Sequence, residues 1–172
     1  MVDSHHLFLL RHAKSSWDDP SIDDHDRPLA PRGRRAAARI ADQATKAAIR
    51  PDLILCSSAM RARQTLERIA PSLGRQTEIS IERSLYAATE DRLLERLHAV
   101  AEEVDSVMMI GHNPGVQDLA LLLAREGPLR NLLEDKFPTA GLATLAFGPA
   151  GWKDLERESG ELVDFVVPRR LG

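Results

Sequence analysis

The sequence predicts an α/β fold: a single-domain three-layer α/β/α sandwich with a mainly parallel sheet. Short apolar runs of strand length alternate along the chain with stretches of helical periodicity, the order that builds parallel sheets covered by helices on both faces. The chain has 172 residues, 43% of them hydrophobic, which is enough for one compact domain with a real core. No internal repeat, low-complexity tract or linker divides it.

"HLFLL" at 6–10 reads as the first strand. The segment 34–48 places Ala37, Ile40, Ala41, Ala44 and Ala48 on one helical face. "PDLILCSS" at 51–58 is a second strand, bounded by Pro51 and two serines. Leu66, Ile69, Ala70 and Leu73 then recur at helical spacing, and "TEISIERSLY" at 77–86 alternates as a third strand. In 89–104, Thr89 is an N-cap, acids fill the first turn, and Leu93, Leu94, Leu97, Val100 and Val104 form a stripe. "SVMMIGH" at 106–112 is another buried strand, and "NPGVQDLALLLA" at 113–124 another helix. "GLATLAFG" and "ELVDFVV" are late strands joined through a Gly/Pro turn and the charged connection "ERESGE".

The net charge of −3 gives no global basic field for nucleic acid. The single cysteine, Cys56, excludes an internal disulfide framework and a cysteine-rich metal site, and it reads as a buried strand residue. The start "MVDSHHLFLL" lacks the pattern of a signal peptide, and "LALLLA" at 119–124 is too short to cross a bilayer. These features predict a cytoplasmic protein without membrane or nucleic-acid partners. His5, His6 and His98 read as surface residues, and "DDPSIDDHD" at 18–26, with five aspartates, as a solvated loop. Trp17 is expected to pack against its surroundings.

In open α/β sheets, ligands sit beyond the carboxyl ends of the strands. Arg11 and His12 follow the first strand, Ser57, Ser58 and then Arg61 the second, and Gly111, His112 and Asn113 the "SVMMI" strand. Arg27, in the loop after the first strand, reaches the same edge. Two histidines and several arginines thus converge from separated parts of the chain. Guanidinium forks match phosphate oxygens in charge and geometry. A neutral imidazole can attack phosphorus and carry the phosphoryl group covalently, while a second histidine donates to an equatorial oxygen. Cations already surrounding the phosphate make a divalent metal unnecessary, so neither metal nor cofactor is expected.

"LLRHAKSSW", "DRPLAPRG", "CSSAMRARQT" and "IGHNP", in that order over residues 7–114, resemble the motifs of the histidine phosphatase superfamily, the branch containing phosphoglycerate mutase. The chain is most similar to its small SixA-type members, which dephosphorylate phosphohistidine. The resemblance implies one histidine phosphatase-like domain over residues 1–172. His12 would be the phosphorylated nucleophile, with Arg11, Arg61 and His112 completing the phosphate pocket. Arg27 matches an arginine that helps hold phosphate in SixA-type members. Ser57 and Ser58 are expected to cap the helix presenting Arg61.

Two departures stand out. Ala13 replaces the glycine usual after Arg-His, so that position takes ordinary backbone angles. The acid segment of the family is not evident: "SLYAATEDR" offers Glu90 and Asp91, with Glu82 further back, and the first two are equally explained as first-turn helix charges. No general acid is assigned. An alkoxide leaving group needs a proton, whereas imidazole, with a pKa of roughly 6.5, leaves readily. The expected activity is therefore removal of phosphate from phosphohistidine in a protein. The alternatives are a phosphatase of a small phosphomonoester and a phosphate-dependent binding module without chemistry. The sequence leaves the oligomeric state open.

Overall fold

Leu7 and Leu9 of the first strand belong to one apolar core, Phe8 and Leu10 to another, so a single alternating run serves both faces of a sheet. The structure, a computed structural model, describes residues 4–171. Six strands are ordered β3-β2-β4-β1-β5-β6. They are β1 (His5–Arg11), β2 (Leu53–Ser57), β3 (Glu78–Glu82), β4 (Ser106–Gly111), β5 (Leu142–Phe147) and β6 (Gly160–Val166). The pairs β3–β2, β2–β4 and β4–β1 are parallel. β5 runs antiparallel to both β1 and β6, so it alone opposes the direction of the sheet.

α1 (Pro31–Lys46) and α2 (Met60–Ile69) cover one face through Ala37, Ile40 and Ala44 and through Ala62, Leu66 and Ile69. α3 (Glu90–His98), α4 (Gly115–Leu123) and α5 (Pro128–Asp135) cover the other through Leu93 and Leu97, Val116 and Leu119, and Leu133. This is the predicted three-layer α/β/α arrangement.

Several local expectations are corrected. α1 ends at Lys46, and Ala48 turns outward with φ 53°. The amides of Ala48 and Ile49 close back onto the carbonyls of Thr45 and Ala44, a Schellman ending, so Ile49 rather than Ala48 enters the core. α3 starts at the predicted Thr89 cap, whose side chain accepts from the Arg92 amide, but stops at His98 rather than continuing to 104. α5 was not anticipated; it is eight residues long and holds one fully buried apolar side chain, so its periodic signal is short. His5 is buried rather than exposed, packed edge-on against Trp152 with ring centroids 5.2 Å apart. Among the described residues, no helix is long and apolar enough to cross a membrane.

Register positions the site. Arg11 pairs with Gly111, and Cys56 with Ile110, so β1, β2 and β4 end at a common level. Arg11-His12, Ser57 and Gly111-His112 therefore leave the sheet together.

Candidate active site

His12 is the residue that follows β1, and it is 7% exposed. Its Nδ1 lies 2.7 Å from the Ala13 carbonyl, so Nδ1 carries the proton and donates. Nε2 is left with its lone pair, towards which Arg61 Nε donates at 3.4 Å. Burial, offset in part by the Ala13 carbonyl and reinforced by His112, Arg61 and Arg11, lowers the His12 pKa to about 3. The ring is neutral at pH 7.

The backbone beneath His12 is held from two sides. The Ala13 amide donates to Thr65 Oγ1 at 3.0 Å, and Thr65 in turn donates to the Arg61 carbonyl. Ala13 is fully buried, and its φ is not positive, so alanine replaces the usual glycine without backbone strain. On the other side, α1 approaches Lys14 so closely that a Cβ on Gly33 would sit 2.1 Å from the Lys14 carbonyl oxygen.

His112 faces His12, with ring centroids 5.0 Å apart. Its Nε2 lies 2.7 Å from Ser57 Oγ, which also accepts from the Ala59 amide. Ser57 is fully buried, and donation of its hydroxyl proton to His112 Nε2 while it accepts from the Ala59 amide pairs that hydroxyl both as donor and as acceptor. His112 Nδ1 then carries a hydrogen, and it is buried with no partner. Burial, together with Arg61, lowers the His112 pKa to about 4. The expectation that Ser57 and Ser58 cap α2 is not met. Ala59 occupies the N-cap without a side-chain bond, Ser57 holds His112, and Ser58 Oγ bonds His25 Nε2.

Arg11 and Arg61 act on both imidazoles, and Arg27 joins the cluster through Asp24. Arg11 Nη1 donates to the Phe137 carbonyl at 3.0 Å, and its Nε is buried without a partner. Arg27 is buried, with Nη2 on Ser15 Oγ at 2.5 Å and Nη1 unpaired. Its guanidinium lies 3.4 Å from the centre of the Trp17 ring, so Trp17 packs as expected through a cation–π contact although it remains 69% exposed. Arg61 has both terminal nitrogens engaged by one residue: Nη1 donates to the Asp24 carbonyl at 2.6 Å and Nη2 to the Asp24 carboxylate at 3.0 Å. The unpaired donors on Arg11, Arg27 and His112 are the complement of an oxyanion.

Asp24 and Tyr86 were not singled out in the sequence. The acidic loop is largely exposed, as read, but the Asp24 carboxylate, itself half exposed, accepts from the Tyr86 hydroxyl and from Arg61 and lies 3.6 Å from Arg27. The Tyr86 hydrogen bond, followed by Arg61 and Arg27, holds the Asp24 carboxyl below its ordinary range. Tyr86 also stands edge-on to His112 and to His25, at 5.5 and 4.8 Å. Glu90 and Asp91 form no hydrogen bond or ion pair with this cluster among the described residues. Glu82 is engaged by both Arg96 donors, at 2.7 and 2.9 Å. Cys56 is buried, and burial pushes its thiol up to about 12.

Residues 7–86 match the sequence pattern of the histidine phosphatase superfamily, branch 1. An uncharacterized protein of Mycobacterium tuberculosis is 37% identical over 164 residues, covering 93% of this chain and 100% of that one. A candidate phosphohistidine phosphatase SixA from Agrobacterium tumefaciens has a crystal structure that is similar with a TM-score of 0.83. It is 35% identical, and the alignment covers 95% of this chain and 98% of that one. The chain belongs to the histidine phosphatase superfamily. Within it the chain is of the small SixA type, and it is a phosphatase. The tungstate complex of the protein histidine phosphatase SixA, at 23% identity, shares the fold of this histidine phosphatase with a TM-score of 0.79 over 97% of this chain and 99% of that one.

Proposed function

We propose that the protein is a metal-independent phosphatase that works through a covalent phosphohistidine on His12 and removes phosphate from phosphohistidine in a protein. The observation that carries this reading is the state of His12: a buried, neutral imidazole with its proton fixed on Nδ1 by the Ala13 carbonyl and its Nε2 lone pair among arginines. A substrate phosphate displaces the long Arg61 contact and is held by Arg11, Arg27 and Arg61. His12 Nε2 forms a bond to phosphorus as the bond to the substrate imidazole nitrogen breaks, and that nitrogen keeps the electron pair. His112 Nδ1–H donates to a phosphoryl oxygen during transfer. The Ala13 carbonyl, still accepting from Nδ1–H, stabilises the charge on the phosphorylated ring. Water then attacks phosphorus, the phosphorus–Nε2 bond breaks, and phosphate leaves with His12 restored to the neutral form.

Asp24 supports the choice of leaving group. The half-exposed Asp24 carboxyl beside Arg61 is held ionised by Tyr86 and the arginines, so it has no proton to give an alkoxide at neutral pH. Its negative charge also disfavours substrates with a second anionic group near the phosphate. Imidazole needs little help to leave and carries no such charge.

The test compares kcat/KM, in EDTA, for a phosphohistidine peptide, p-nitrophenyl phosphate and an alkyl phosphomonoester. The reading expects turnover in EDTA and at least a roughly 100-fold preference for the phosphohistidine peptide over the alkyl ester. Equal or better use of the alkyl ester would favour a small-molecule phosphatase. Phosphate binding without turnover of any of the three would favour a binding module.

A further inference from the structure

A second concave site lies outside the catalytic pocket. A cavity of about 470 Å³ is lined by Arg32, Arg35 and Arg39 of α1, by Lys136 after α5, and by Arg169 near the end of the chain. Ala36, Pro138, Thr139, Val167 and Pro168 complete its walls, and among the described residues no acidic one lines it. Among the described residues, none of the five cations makes an ion pair. Five positive charges thus gather on one concavity of a chain whose net charge is −3. Asp42, further along α1, lines a neighbouring hollow with Arg39 and Lys46 instead.

The α1 stripe is not explained by helix formation. Arg35 and Arg39 stand four residues apart, where like charges oppose the helix, and Arg32 stands one turn before them. Two of the walls are stiffened by proline, so the concavity is largely preformed. The strip 136–140 separates it from the catalytic pocket. The Phe137 carbonyl accepts from Arg11, and the Ala140 amide donates to the carbonyls of Arg11 and His12, while Lys136, Pro138 and Thr139 line the cavity.

We propose that this cavity is a second, non-catalytic binding site for a small polyphosphorylated anion, one that carries at least two adjacent phosphate groups. Four of the five cations are guanidiniums, whose donor forks fit phosphate oxygens. One phosphate dianion would leave most of the positive charge uncompensated. Only densely charged ligands neutralise five cations within this volume. Among the described residues the lining holds no aromatic side chain on which a nucleobase could stack, which argues against single-stranded nucleic acid.

The test is calorimetric titration with tripolyphosphate, at low and at physiological salt, of three proteins: the parent, the R35A/R39A double variant and Arg61→Ala. Both α1 positions are exposed, and alanine favours helix, so the double variant keeps the fold. The proposal expects a binding event, weakened by added salt, whose Kd rises at least roughly tenfold in R35A/R39A and is unchanged in Arg61→Ala. Hydrolysis of p-nitrophenyl phosphate by R35A/R39A should equal that of the parent. Binding that is lost in Arg61→Ala but kept in R35A/R39A would put the anion in the catalytic pocket and overturn the proposal. So would the absence of any binding at low salt. A hexaglutamate peptide binding as tightly as tripolyphosphate would also overturn it, by making the surface one for acidic protein segments.

Discussion

Asp24 occupies the edge of Arg61 that a phosphate needs. Its carboxylate and its carbonyl take both terminal nitrogens of Arg61, and the Tyr86 hydroxyl locks the carboxylate in place. A dianion entering the pocket meets this negative charge at close range. At an effective dielectric near 20, two such charges a few ångströms apart repel by a few kcal/mol, and the exposure of Asp24 reduces this to about 1 kcal/mol. Asp24→Asn should therefore tighten tungstate or vanadate binding by roughly fivefold, measured by competitive inhibition at low salt. Weaker binding would show that the carboxylate orients Arg61 instead of competing for it. His12, His112, Arg11 and Arg61 were legible because each stands directly after, or one turn beyond, an apolar run. Asp24 and Tyr86 were not, because their contact joins residues 62 positions apart in two loops, and no local pattern encodes that.

At the scale of elements, the site depends on how closely helices approach the loop behind His12. Gly33 lets α1 rest against Lys14, and Thr65 on α2 holds the Ala13 amide. The order and type of most elements were readable, since alternation and helical spacing reflect which face is buried. Their ends were less so: α1 stops where Ala48 takes a left-handed conformation, which the alanine-rich sequence around it does not announce. Gly33→Ala tests the close approach. A Cβ 2.1 Å from a backbone oxygen forces helix and loop apart. The variant should lose about 1–3 kcal/mol in urea unfolding and a larger share of kcat than of KM, because His12 shifts while the arginines can still follow the phosphate. Parent-like stability and kcat would mean that the loop behind His12 adjusts without moving the ring.

For the whole molecule, the buried histidine pair links catalysis to acid stability. In the unfolded chain both rings bind protons below about pH 6.5, whereas in the fold they stay neutral down to about 3 and about 4. The unfolded state thus binds more protons through this window, so the pair's contribution to stability should fall as pH drops from about 6.5 towards 4 and level off below about 3. Urea unfolding at pH 7 and pH 4.5 should show the loss, and His12→Asn with His112→Asn should flatten it. An unchanged slope in the double variant would assign acid sensitivity to other groups. The most direct test of the account is the location of the phosphoryl group during turnover. The protein is mixed with a labelled phospho-donor, quenched in alkali, where a phosphorus–nitrogen bond survives, and mapped by peptide. The account predicts label on His12 alone, no label and no turnover in His12→Ala, and slower labelling of His12, by roughly 10²–10³-fold, in His112→Ala. Label on His112, or stable label on the His12→Ala protein, would contradict it.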